Sequence, residues 1–238
     1  MTIELDPPED LSELEEELDY TFNDKDLLIT SLCHRSIQNA ADVGDPVSNE
    51  RLEFLGDSVL GLVISEFLFQ QYPDQREGEL TKLKGLLVSE VILYKIAQNI
   101  DLGKFVFMSK EEELSGGRNR KTILSDAYEA VLGAMYLDGS LDDVRNAVRI
   151  HLLENFEELV SNDEYINYKG RLLEYTQGQN MGVPRYEVID ESGPEHRKIF
   201  NVVAKIMGHE MGYGRGHTKK QAEQQAAKVA MRSLKLID

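Results

Sequence analysis

Residues 49–60 read NERLEFLGDSVL, and this stretch decides how the chain is understood. Glu50, Glu53 and Asp57 stand at i, i+3 and i+7. At ~100° per residue, a helix brings such positions within about 60° of one another on one face. Leu52, Leu55, Val59 and Leu62 fall on the other face, where burial is expected. A second stretch, SDAYEAVLGAMYLD at 125–138, carries Asp126 and Glu129 at i, i+3. Its small residues Ala130, Gly133 and Ala134 permit a facing helix to come close. A row of acids can be no more than a solvated helix face. Here, however, Asp126 and Glu129 lie among Ala127, Tyr128, Ala130, Val131 and Leu132, and Glu53 and Asp57 flank Phe54, Leu55 and Gly56. Buried like charges cost several kcal/mol unless a cation compensates them. Four carboxylates from two helices suit a hard divalent cation such as Mg2+. A di-iron site would call for Glu-x-x-His pairs, which the sequence lacks.

Outward from these stretches, the first 160 residues repeat apolar residues at helical spacing. Leu11, Leu14 and Leu18 do so, as do Leu27, Leu28 and Leu32. Longer helices are expected over about 49–71, 80–99, 121–137 and 141–159, with no convincing strand. After residue 165 the pattern changes. A short helix (168–179) precedes extended segments at 185–190, 199–207 and 210–214, and a helix begins at Lys219. Glu191, Ser192, Gly193 and Pro194 read as punctuation between the first two strands. Charge shifts at the same place: the net −17 resolves into −21 over residues 1–164 and +4 over 165–238. With 238 residues, two modules with different electrostatic roles are expected.

The closing helix carries its own signals. Thr218 and Gln221 form a capping box that starts the helix at Lys219. Lys219 and Lys220 then sit in the first turn, where the helix dipole disfavours cations and an external anion is welcome. Ala222, Ala226, Val229, Ala230 and Leu234 mark the buried stripe. The glycines of GYGRG (212–216) lack the Gly-Lys-Ser/Thr ending or spacing of a nucleotide cradle, so no nucleotide cofactor is expected. No apolar run approaches the ~20 residues of a membrane span. The acidic start MTIELDPPED is unlike a signal peptide, and the one cysteine, Cys33, is expected to be a small core residue. His34, beside Arg35, is expected to be a structural hydrogen-bonding residue. A reducing, cytoplasmic location follows as an expectation.

NERLEFLGDSVL closely resembles the signature of the ribonuclease III family, and SDAYEAVLGAMYLD resembles that family's second acidic motif. CHRS (33–36) is similar to its Thr-His-Arg-Ser segment, with Cys in the first place, and REGELT (76–81) also fits. The resemblance runs in order from about Leu14 to the end. It implies an all-α N-terminal endonuclease domain (1–160), a linker (161–166) and a small α+β (α-β-β-β-α) double-stranded-RNA-binding domain (167–238). It implies a homodimer acting on double-stranded RNA with Mg2+, Mn2+ substituting. By position, Glu53, Asp57, Asp126 and Glu129 match the catalytic metal-binding carboxylates, and Glu50 and Glu77 match secondary acids near the cleavage site. Phe54 matches the apolar knob of the dimer interface, although periodicity alone would put it in its own core. In the second module, YKGRLLEYTQ (168–177), GPEH (193–196) and GYGRGHTKKQAEQQAA (212–227) are similar to the RNA-binding elements. The resemblance then places Glu174 and Gln177 at one minor groove, His196 at the next, and Thr218, Lys219 and Lys220 at the phosphates between. Leu173 departs from a common Gln, and Gly170 replaces a better helix former. The intact acids disfavour a non-cleaving RNA-binding protein on this fold, and the tail module disfavours a DNA nuclease.

Overall fold

The computed structural model describes residues 10–39, 48–162, 165–194 and 197–237. Two compact units divide the chain, Met1–Tyr165 and Ile166–Asp238. In the first, the described residues form α1 (Leu11–Leu18), α2 (Lys25–Ser31), α3 (Glu50–Gln71), α4 (Glu77–Leu87), α5 (Glu90–Asn99), α6 (Lys110–Leu114), α7 (Lys121–Asp138), α8 (Leu141–His151) and α9 (Phe156–Ser161). The unit is helical, as expected. Its described extended pairing is a single bridge between Cys33 and Phe107.

α3 and α7 form the central pair. They meet at Gly56 and Gly133: a Cβ at Gly56 would run into the Glu129 carbonyl oxygen, and one at Gly133 into that of Leu52. Backbone therefore lies against backbone, and any side chain at either position would force the helices apart. Around this contact Leu52, Val59, Leu60, Val63, Ile64, Ala127, Tyr128, Val131 and Leu132 are buried in one core with residues of the other helices.

The ends of both helices are tied down. Asn49, which precedes α3, donates its N–H to the Cys33 carbonyl at 2.8 Å, while His34 N–H and Phe107 N–H are paired with the carbonyls of Phe107 and Leu32 at 2.9 Å. At the far end of α7, Asp138 accepts from the Tyr20 hydroxyl (2.7 Å) and from the N–H groups of Asn23 and Asp24 (2.8 Å each).

In this first unit the structure departs from expectation at three places. The apolar run 80–99 is two helices, broken at Val88–Ser89, where Ser89 turns extended (φ −73°, ψ 147°). The run 141–159 is likewise interrupted by a short 3-10 turn at Leu153–Asn155. Leu62 is 54% exposed, not buried. The buried arc of α3 runs through Gly56, Leu60 and Ile64, which turns Leu62 outward with Phe54 (79%) and Phe69 (73%). These three fall within an arc of about 80°.

The second unit comprises α10 (Tyr168–Gly178), β1 (Arg185–Ser192), β2 (Ile199–Ile206), β3 (His209–Gly216) and α11 (Lys219–Ser233). The strands form an antiparallel sheet in the order β1-β2-β3. One face packs through Val202, Ala204 and Ile206 against Tyr168, Leu172 and the alanines of α11. Gly212, Gly214 and Gly216 alternate along β3 toward α11, where a Cβ on Gly212 or Gly214 would overlap the Ala226 or Ala222 carbonyl oxygen. The GYGRG glycines thus serve close strand–helix packing. β1 continues through Glu191 and Ser192, two residues expected as punctuation. It contains a bulge: Val188 pairs with Val202 and Asp190 with Asn201, leaving Ile189 as the extra residue.

Candidate metal centre and RNA-facing surface

α3 and α7, held at backbone contact, bring Glu53, Asp126 and Glu129 together. One carboxylate oxygen from each lies within 4.8 Å of the others. Asp57 projects from the next turn of α3, outside that trio. Of the neighbouring charges, it nevertheless has the largest effect on Glu129. Burial, followed by Asp57, Asp126 and Glu53, pushes the Glu129 carboxyl up to about 8. Glu53 is raised by burial, by Asp126 and by Glu50, with Arg35 acting in the opposite sense. Burial also raises Asp126, against the Ser125 hydroxyl that donates to it at 3.2 Å. These groups resist ionising side by side, which is the electrostatic condition a divalent cation relieves. The oxygen-only donor set and its spacing fit such an ion.

Glu50 is held at the edge, accepting from the Ser48 hydroxyl (3.0 Å) and pairing with Arg35 at 3.7 Å. Glu77 begins α4, where the Thr81 hydroxyl donates to it at 2.8 Å, and it is not among the charges that chiefly shift the trio. Sequence reasoning missed Glu90. It opens α5 and its charge acts on Asp126. The signal was obscured by reading 80–99 as one helix, which hid Glu90 in a helix interior.

His34 has the structural place expected of it. Its Nδ1 faces the Ser36 hydroxyl at 2.9 Å and the Ser36 N–H at 3.3 Å, and the Ser36 oxygen accepts from Ser109 N–H at 2.9 Å. A backbone N–H aimed at Nδ1 puts the ring proton on Nε2. Burial lowers the His34 pKa, in keeping with a neutral ring. Ser109 in turn caps α6, whose Glu112 pairs with Arg120 at the start of α7. A chain of polar contacts therefore runs from His34 to the helix bearing two of the acids. Cys33 is fully buried, and burial pushes its thiol up to about 12. It is an inert core residue.

In the second unit, Glu174 and Gln177 share the exposed side of α10 one turn apart. Thr218 and Gln221 form the capping box in full: Thr218 Oγ1 accepts from Gln221 N–H at 3.2 Å, and Gln221 Oε1 from Thr218 N–H at 3.2 Å. This fixes exposed Lys219 and Lys220 in the first turn of α11. Ala222, Ala226 and Ala230 are buried as expected, joined by Ala227 and Met231, while Val229 and Leu234 are only partly covered. His196 lies outside the described residues. α10 keeps its helix through Gly170, whose N–H is capped by Asn167 Oδ1 at 3.0 Å.

Residues 24–156 match the family model described as Ribonuclease-III-like, and residues 168–234 match the double-stranded RNA binding motif. The chain belongs to the ribonuclease III family. Ribonuclease 3 of Caldanaerobacter subterraneus subsp. tengcongensis is 44% identical over 95% of this chain and 99% of its own length. Ribonuclease 3 of Fusobacterium nucleatum is 42% identical over 92% and 93%. Among solved structures, a nuclease domain of ribonuclease III from Campylobacter jejuni matches with a TM-score of 0.58 and 41% identity. It covers 62% of this chain and 99% of that domain. The protein is accordingly an endoribonuclease with a helical nuclease domain followed by a double-stranded-RNA-binding domain.

Proposed function

We propose that this ribonuclease III is a Mg2+-dependent phosphodiester hydrolase of double-stranded RNA, with Mn2+ substituting. It leaves 5′-phosphate and 3′-hydroxyl ends with short 3′ overhangs, and it works in the cytoplasm on ribosomal RNA precursors and structured transcripts. The observation that carries this reading is the convergence of Glu53, Asp126 and Glu129 at the α3–α7 contact. With Asp57 they are the catalytic carboxylates and would hold the divalent ion. When bound, such an ion supplies a more acidic water and charge relief at the leaving oxygen. The protein's own contribution is positional. Gly56 and Gly133 fix the distance between the two acid helices, and Asn49 and Asp138 anchor their ends. Glu50 and Glu77 are secondary acids flanking the cleavage site, and Arg35 steadies Glu50.

Phe54, Leu62 and Phe69 form an exposed apolar stripe on α3, the helix that also carries Glu53 and Asp57. A homodimer through this stripe would set two sites near one duplex, one for each strand. The Campylobacter jejuni domain is described as having a region involved in dimer formation, which supports the assembly. RNA affinity resides in residues 167–238 through Glu174, Gln177, His196, Thr218, Lys219 and Lys220. Residues 1–160 form the nuclease domain and 161–166 the linker. The compact units and the two matched ranges support this division.

The deciding experiment incubates the purified protein with an RNA duplex or a DNA duplex, with Mg2+ or with EDTA. Cleavage of RNA alone, in Mg2+ alone, with 5′-phosphate ends, is expected. Cleavage in EDTA, or of DNA at a comparable rate, would overturn the reading.

A further inference from the structure

Lys219, one of the two lysines in the first turn of α11, already has an anionic partner within its own domain. Its Nζ lies 3.4 Å from Oε1 of Glu191 on β1. The other oxygen of the same carboxylate, Oε2, faces Lys198 Nζ at 3.9 Å. Lys219 Nζ also sits over the Phe200 ring, 5.5 Å from its centroid. One carboxylate thus stands between lysines from two different segments, at the edge where the sheet meets the start of α11. Lys220, the next residue, forms no ion pair among the described residues.

The position of Glu191 follows from the bulge. Tyr186 and Val188 pair with Ala204 and Val202, which face the helices. Regular alternation would send Asp190 to that side as well. The extra residue Ile189 reverses the phase. Asp190 is placed opposite Asn201, with Asn201 Nδ2 donating to it at 3.2 Å, and Glu191 falls opposite Phe200 on the helix side. Glu191 has one more methylene than Asp190 and reaches the lysines.

We infer that Glu191 acts as an internal stand-in for an RNA phosphate: it holds Lys219 in the free protein and competes with the duplex for that lysine. This rests on the reading of Lys219 as a phosphate contact. The Glu191–Lys219 pair is solvent-exposed, and such pairs contribute little to stability. Its consequence is therefore felt in affinity. Binding exchanges one anion for another at Lys219. The device lowers affinity for every duplex irrespective of sequence and favours release of cut products.

The test uses the full-length chain in EDTA, with a fluorescein-labelled blunt RNA duplex followed by anisotropy and checked on a gel to be uncut. Glu191→Gln keeps shape and removes the charge. It is expected to tighten binding roughly threefold, the scale of one exposed ion pair. Lys219→Ala is expected to weaken binding, and adding Glu191→Gln to it should restore nothing. In a Lys220→Ala background, the gain from Glu191→Gln should persist. If Lys219→Ala binds like wild type, the phosphate role of Lys219 falls and this inference with it. If Lys219→Ala weakens binding but Glu191→Gln does not tighten it, only the inference falls. A gain of equal size in the Lys219→Ala background would also overturn it, because the carboxylate would then be acting on the RNA as a general charge.

Discussion

Glu129→Gln should make the metal-free protein more stable while abolishing its activity. The carboxyl of Glu129 is moved by burial and by three neighbouring acids from 4.5 to about 8. An acid whose pKa is raised on folding contributes stability below its unfolded value and loses it as the pH rises toward the folded one. For Glu129 the loss spans pH 4.5 to about 8. Fully expressed, a shift of that size corresponds to between roughly 4 and 5 kcal/mol. Partial exposure and loosely held cations reduce it to about 2 kcal/mol. Gln has nearly the same shape and no charge to lose. In EDTA at pH 8, the variant's nuclease domain should melt roughly 5 °C above wild type, and the difference should vanish near pH 4. Adding Mg2+ should raise the wild-type melting temperature by mass action and leave the variant unmoved. Cleavage should disappear, while duplex binding through the second domain stays. A variant that melts at or below wild type in EDTA at pH 8 would refute the electrostatic reasoning. Cleavage at near the wild-type rate would refute the metal role of Glu129.

The same proton has a second signature: Mg2+ binding at pH 7 should release about one proton per site and markedly fewer at pH 9, measured calorimetrically in buffers of different ionisation enthalpy. Glycine substitutions should change stability in opposite directions. Gly85→Ala, in α4 with nothing within 4 Å of the new Cβ, should stabilise by about 0.5–1 kcal/mol. Gly133→Ala, driven into the Leu52 carbonyl, should cost about 3 kcal/mol and most of the activity, read from thermal melts and a cleavage assay. Phe54→Ala should shift sedimentation toward monomer, with helicity retained by far-UV circular dichroism and cleavage of both strands reduced. A loss of about 2 kcal/mol of association energy is expected for an aromatic anchor. An unchanged sedimentation profile would refute the interface role of exposed Phe54.

The readable parts of the sequence were those where a single local rule governs the outcome. The 3.6-residue spacing of acids on α3 and α7, and the Thr218–Gln221 box that starts α11, required no knowledge of distant residues. Features set by distant contacts were missed. Apolar residues before and after Val88–Ser89 serve the same core, so periodicity ran through the break and concealed Glu90 as a helix-opening residue. Leu62 looked like core because periodicity identifies an apolar face without saying whether its own chain covers it. The His34–Ser36–Ser109 chain joins residues 73 apart in sequence at its longest step, and no motif spacing announces it. The bulge at Ile189 depends on how β1 registers with β2, so the side on which Glu191 falls could not be read from alternation.

The backbone contact at Gly56 and Gly133 bears on how relatives are sorted into active and silent copies. The usual test asks whether the acids survive. Here the distance between the acids belongs to two positions with no functional group at all. A descendant that kept Glu53, Asp57, Asp126 and Glu129 but exchanged either glycine would pass that test and still be expected to lose most of its activity. On the proposed reading of the four acids, inheritance of the activity requires six letters, two of which no chemical argument about catalysis would select.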